Sequence, residues 1–160
     1  MRVLFLDFDG VLNSTSYFRR VARETGRQTG AGHIDPLAVE RLNRIVKATS
    51  CRIVVTSTWR LVHTLEDLQR MLHGLSAEQL LGVTPDRIGP RCREIEKWLD
   101  GVSRWNSEQR QWRPPVDQFV ILDDDSTAGI GFASHFVQTS PETGLTDDDV
   151  DKAIKILVRT

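Results

Sequence analysis

The sequence predicts a three-layer α/β/α sandwich on a mainly parallel sheet, with a minimal cap or none, and three observations carry that expectation. Short apolar runs rich in β-branched and aromatic residues alternate with longer stretches of helical period. The runs are nearly free of polar residues, as strands buried on both faces are. The ends of these runs carry aspartates and hydroxyl residues, and parallel sheets bind ligands at the carboxyl ends of their strands. A chain of 160 residues suits one compact domain with its own core and is short for two, so residues 1–160 are read as one unit with one site.

The elements follow in order. Val3 to Phe8 reads as the first strand. Residues 14 to 51 must then supply a local flap, a loop over Gly26 to Gly32, and a helix that covers the sheet. Asp35-Pro36 marks the start of that helix, an N-cap followed by proline at the first helical position, and Leu37, Arg41, Leu42, Ile45 and Val46 continue it with one apolar face. Arg52 to Val55 is the second strand. Thr64 with Asp67 forms a capping-box pattern ahead of Leu65, Leu68, Met71 and Leu72, with Gly74 as the stop. Pro90 opens a helix carrying Ile95, Trp98 and Leu99. A polar stretch from Gly101 to Pro115, with Trp105 and Trp112, reads as a surface loop anchored by buried tryptophans. Phe119 to Leu122 and His135 to Gln138 are the remaining strands. Thr146 caps the last helix, whose positive end carries Asp147, Asp148 and Asp149 and whose inner face carries Ile154, Leu157 and Val158.

Bulk properties narrow the function. A formal charge of −1 gives no whole-protein attraction to nucleic acid or anionic lipid, so any affinity for phosphate has to be local. Cys51 and Cys92 form neither a close pair nor a CxxC, which fits a reducing cytoplasm rather than a disulfide or zinc framework. Carboxylates interrupt the N-terminal apolar run, and no stretch approaches the roughly 20 apolar residues of a membrane span. A soluble cytoplasmic chain is expected. His33, His63, His73 and His135 lack ligand spacing and read as structural.

Three strands end in residues suited to phosphoryl transfer: Asp7-Phe8-Asp9-Gly10, Thr56-Ser57 and Asp123-Asp124-Asp125. Asp7 and Asp9, two apart on an extended segment, project the same way, and Gly10 permits a sharp departure of the chain. Converging carboxylates repel one another unless a hard cation sits among them, and Mg2+ with oxygen ligands is the natural choice. Asp7 is placed to accept a phosphoryl group as nucleophile, and Asp9 to act as general acid and then base. Thr56, with Ser57, offers a hydroxyl and backbone N–H to the transferred oxygens. Arg91, Arg93 and Lys97, at or near the start of the helix before the third strand, are the candidate fixed cations. A receiver-type signalling domain gathers similar groups, but its acidic pair, phosphorylated aspartate and hydroxyl fall on strands in a different order.

Asp7-Phe8-Asp9-Gly10-Val11-Leu12-Asn13 resembles the first signature of the haloacid-dehalogenase (HAD) superfamily, and the second aspartate resembles its phosphatase branch. Val54-Val55-Thr56-Ser57-Thr58-Trp59-Arg60 is similar to the second signature and Ile121-Leu122-Asp123-Asp124 to the fourth. The spelling of these segments, with Arg-Glu-Ile-Glu-Lys-Trp-Leu and Thr-Gly-Leu-Thr, further resembles the small HAD domain of Swiss-Army-Knife RNA repair proteins. The resemblance implies a Rossmann-like core with Asp7 as nucleophile and Asp9 as acid/base. It implies magnesium held by the Asp7 carboxylate, the Asp9 backbone carbonyl and an acid of the fourth signature, Asp124 before Asp123. The third signature departs from the pattern, lacking a lysine in a Lys-Pro context, and Arg91 takes its place by position, ahead of Arg93 and Lys97.

Residues 60 to 90 have room for one or two short helices, too little for a cap domain. An open site suits bulky phosphorylated substrates, a nucleotide or an RNA or DNA end, a phosphoprotein or a large phospholipid-like group, and also admits small metabolites; a phosphate- or nucleic-acid-binding module with little turnover is the alternative. Arg19, Arg20, Arg23 and Arg27 in the flap stretch, and Trp59-Arg60 after Thr56, would fit such a substrate, with arginine near the phosphate and the tryptophan as a surface on which a base could stack; a solvated helix face for the arginines and a tryptophan packed beneath the site are the competing readings.

Overall fold

The computed structural model describes residues 1–27, 33–85, 89–102 and 115–159. Its centre is a five-stranded sheet formed by β1 (Arg2–Leu6), β2 (Arg52–Val55), β3 (Leu80–Val83), β4 (Gln118–Asp123) and β5 (Phe136–Gln138). The strand order is β3-β2-β1-β4-β5 and every pairing is parallel. The helices are α1 (Thr15–Thr25), α2 (Pro36–Thr49), α3 (Leu65–Met71), α4 (Arg91–Val102) and α5 (Asp147–Leu157).

The side-chain period of two in β1 explains the three layers. Leu4 and Leu6 face a core shared with Leu42 and Ile45 of α2 and Val150, Ala153 and Leu157 of α5. Val3 and Phe5 face the opposite core, with Ile95 and Trp98 of α4. Trp98 meets Phe5 edge-on, the ring centroids 5.3 Å apart. All four residues of β1 from Val3 to Leu6 are 0% exposed, and each contributes about 1.5–3 kcal/mol by burial.

The helix starts follow the sequence signals. Asp35 accepts from Leu37 N at 3.0 Å with Pro36 at the first position. Thr64 and Asp67 form a complete capping box, as do Thr146 and Asp149 ahead of α5. Other elements differ from expectation. β3 is a strand the apolar pattern does not announce, because it lies at the sheet edge, contains Gly82 and buries only Leu80 fully. β1 stops at Leu6 rather than Phe8, since the Phe8 carbonyl leaves the sheet to accept from Val11, Leu12 and Asn13 N. The flap stretch holds a regular helix, α1, capped by Ser14. α4 continues to Val102, two residues into the expected loop; Trp105, Trp112 and most of that loop lie outside the described residues, as do 28–32 of the Gly26 to Gly32 loop. Among the described residues no helix is long and apolar enough to cross a membrane.

Candidate active site at the carboxyl edge of the sheet

The register of the central strands assembles the site. Leu6 is level with Val55 on one side and Leu122 on the other, so Asp7, Thr56 and Asp123 follow in one row at the same edge. Backbone bonds hold that row: Asp7 N donates to Leu122 O at 3.0 Å and Thr56 N to Leu6 O at 2.9 Å.

Asp7 is 5% exposed and Asp123 is fully buried. One guanidinium nitrogen, Arg91 Nη1, lies 2.7 Å from Asp7 Oδ2 and 2.6 Å from Asp123 Oδ2. Of the three candidate cations it is Arg91, in the first turn of α4, that meets the acids. Arg93 instead pairs with Glu96 at 2.8 Å in solvent, and Lys97 is exposed. Burial opposes the Arg91 charge, but the adjacent Asp7 and Asp123 outweigh it and hold the guanidinium above its ordinary pKa. Asp123 also accepts from Asp125 N at 2.9 Å. Burial first, and then the charge of Asp7, push Asp123 up to about 7 against the opposing effect of Arg91. The same two causes, in the same order, raise Asp124.

Asp7, Asp123 and Asp124 each offer a carboxylate oxygen within 4.8 Å of the others. Such an all-oxygen donor set fits a hard divalent cation. Asp123 already spends one oxygen on Arg91 and the other on Asp125 N, whereas Asp124 is less deeply buried and stands directly against Gly10. Gly10 has φ +71°, and a Cβ there would sit 2.5 Å from the Asp124 carboxylate carbon. Only glycine satisfies both the backbone and the close approach. Gly10→Ala is expected to lower stability by roughly 1–3 kcal/mol, read as a drop in the denaturation midpoint; an unchanged midpoint would show that the loop yields freely.

Asp9 occupies different surroundings. It is exposed, and each of its oxygens accepts one bond: Oδ1 from Asn13 Nδ2 at 2.8 Å and Oδ2 from Trp59 Nε1 at 2.8 Å. Asn13 is itself held by Gly10 N, which donates to its Oδ1 at 3.0 Å. Trp59 is buried, with its ring 5.3 Å from that of Phe8. It therefore packs beneath the site and presents no free face for a base, so of the two readings of Trp59 packing holds and stacking does not. Its bond to Asp9 could have been sought from the sequence, because a buried indole N–H usually needs an acceptor.

The hydroxyl residues divide. Ser57 accepts from Trp59 N at 3.4 Å and caps the 3₁₀ turn Thr58–Leu61. Thr56 is fully buried and its Oγ1 has no hydrogen-bond partner, while its N–H is spent on the sheet. Only the Thr56 hydroxyl, not its N–H, thus remains for a ligand. Arg60, whose place after Thr56 suits an arginine near the phosphate pocket, is instead buried beneath this loop and pairs with Glu94 of α4 at 2.7 Å. In the flap helix Arg19 pairs with Glu142 and Arg20 with Asp35, while Arg23, and Arg27 just beyond the helix, are exposed. A cleft of about 320 Å³ opens beside Arg91, lined also by Thr58, Leu61, Asp125 and Thr127.

The solved HAD domain of effector protein Lem4 from Legionella pneumophila is similar to this chain, with TM-score 0.50 and 16% identity over 99% of this chain and 97% of that chain. At that identity the likeness shows a common fold. No curated protein matches the chain. A family model described as the HAD domain in Swiss Army Knife RNA repair proteins matches residues 3–150, a span that contains the whole row of acids, Thr56, Trp59 and Arg91. The chain therefore belongs to that family, a HAD-like domain on a Rossmann-like α/β core.

Proposed function

We propose that the protein is a magnesium-dependent phosphomonoester hydrolase working through an aspartyl-phosphate on Asp7. The observation that carries this reading is the division of labour between two aspartates two residues apart. Asp7 is buried among Arg91, Asp123 and Asp124, and Asp9 stands exposed at the mouth with both oxygens oriented. A carboxylate of Asp7 attacks phosphorus, and the P–O bond to the leaving group breaks as Asp9 delivers a proton to the departing oxygen. Asp9 then takes a proton from water, whose oxygen bonds to phosphorus while the acyl phosphate on Asp7 breaks. Phosphate leaves and both aspartates return to their starting state. Arg91 pairs with the transferred oxygens, and the buried Thr56 hydroxyl supplies a further donor. Asp7 and Asp124, with the Asp9 carbonyl and with Asp123 behind them, would hold magnesium, which would supply neutralisation of the charge shared by nucleophile and substrate.

Removal and return of the metal test this directly. Chelation should abolish hydrolysis of an aryl phosphate and Mg2+ should restore it. Mg2+ should also raise the thermal midpoint of the wild type but not of Asp124→Ala. Activity that survives chelation and dialysis would remove the metal from the mechanism. Asp9→Asn should slow hydrolysis of alkyl phosphates much more than aryl phosphates, since a nitrophenolate needs little proton assistance. Equal losses on both would assign Asp9 to placement rather than to acid catalysis.

We infer that the substrate is a phosphorylated nucleotide or an RNA or DNA end. The described chain between β1 and β2 holds only α1 and α2, and that between β2 and β3 only α3 and short turns, so the described residues contain no cap domain over the acids. The family description names RNA repair proteins, which supports the same class. Oligonucleotides phosphorylated at either end, mononucleotides and sugar phosphates, compared by kcat/KM, would decide; a preference for sugar phosphates would reject the class.

A further inference from the structure

We infer that Trp59 is a positioning residue for Asp9, forming with Asn13 a two-point clamp that aims the Asp9 carboxylate at the leaving group. This deepens the phosphatase reading above and rests on it.

The geometry is specific. Asp9 is the exposed residue of a turn whose neighbours Phe8, Gly10 and Val11 are buried, and a solvent-facing carboxylate ordinarily samples several rotamers. Here Trp59 Nε1 and Asn13 Nδ2 each bond a different oxygen at 2.8 Å, so rotation about either side-chain torsion breaks at least one bond. Both donors are themselves fixed. Asn13 is 3% exposed and tied to Gly10 N. Trp59 is 7% exposed, its ring contacts those of Phe8 and His63, and its backbone N is capped by Ser57. The bond also joins the loop after β1 to the turn after β2, elements separated by 50 residues in sequence. A proton donor held in one orientation has no reorientation left to make when the leaving oxygen departs.

Trp59→Phe removes the indole N–H and keeps an aromatic ring against Phe8. It is expected to lower kcat on an alkyl phosphate about tenfold, to leave KM unchanged, and to change kcat on para-nitrophenyl phosphate by less than about twofold. Added to Asp9→Asn it should cost nothing further on the alkyl ester, because the group it aims has gone. A wild type active on both esters, with equal losses on the two in Trp59→Phe or a loss that adds to that of Asp9→Asn, overturns the clamp and leaves the phosphatase reading standing. A wild type that turns over neither ester takes down that reading and the clamp with it. A second measurement does not depend on the folding of the tryptophan variant. In the proton NMR spectrum of the metal-free protein, the Trp59 indole N–H resonance should move and exchange faster with water in Asp9→Ala. An unmoved resonance would by itself overturn the clamp.

Discussion

Asp7→Asn is expected to reduce hydrolysis of para-nitrophenyl phosphate by at least about 10³-fold, with binding of Mg2+ weakened and the fold retained. The loss follows from the nucleophile itself. An amide has no anionic oxygen to bond to phosphorus, so the two-step route through an acyl phosphate closes, and a good leaving group cannot compensate. That separates the variant from Asp9→Asn, in which the aryl ester should remain the better substrate. The fold should survive because Arg91 keeps Asp123 as a partner at 2.6 Å, and the substitution removes one of three mutually repelling carboxylates. Wild type incubated with a radiolabelled phosphomonoester and quenched in acid should carry label that hydroxylamine releases; Asp7→Asn should carry none. Turnover within tenfold of wild type in a correctly folded variant would mean that phosphorus is attacked by another group, and Asp7 would revert to a metal or phosphate ligand.

The parts of this site that the sequence announces are those governed by local pattern. β1, β2 and β4 are buried on both faces, so each prints an apolar run, and the acids follow the runs of β1 and β4 while the hydroxyls follow that of β2. Parallel register then brings Asp7, Thr56 and Asp123 together without further information. The choice among Arg91, Arg93 and Lys97 needs the helix phase. A residue two positions beyond Arg91 lies about 200° round the helix, so Arg93 turns to solvent when Arg91 faces the sheet edge. β3 escapes notice because an edge strand with Gly82 and half-exposed side chains has little apolar pattern to print. The clamp on Asp9 and the anchoring role of Arg60 depend on contacts between distant segments, and a single sequence carries no periodicity for those. Trp59 illustrates the ambiguity: its position beside Thr56 is compatible with stacking on a substrate or with packing under the loop, and only the pairing with Asp9 and Phe8 decides.

Arg60→Ala is expected to destabilise the protein by about 3–5 kcal/mol. At about 2–4 °C per kcal/mol for a chain of this size, the thermal midpoint should fall by roughly 6–20 °C. The side chain is 4% exposed and its Nη2 donates to Glu94 Oε2 at 2.7 Å, with Glu94 only 9% exposed. The same guanidinium donates to the carbonyls of Ser57 at 2.9 Å and Thr84 at 3.1 Å, and to that of Thr56. It therefore ties together the loop after β2, the end of β3 and the first turns of α4, and Glu94 lies three residues beyond Arg91. Truncation strands a buried carboxylate and the backbone carbonyls that share the guanidinium, and the cost of that stranding exceeds the net worth of the ion pair itself. Arg60→Leu with Glu94→Leu separates the two contributions. If the stranded charge dominates, the double variant should recover much of the midpoint lost by Arg60→Leu alone, and the coupling across the cycle should be favourable by well over about 1 kcal/mol. The double variant should nevertheless remain poor in catalysis, since the Thr56 loop and the helix carrying Arg91 would no longer be held to a common anchor. An Arg60→Ala midpoint within about 2 °C of wild type would show that water reaches Glu94 and the freed carbonyls, and that the loop and helix hold their places without the arginine.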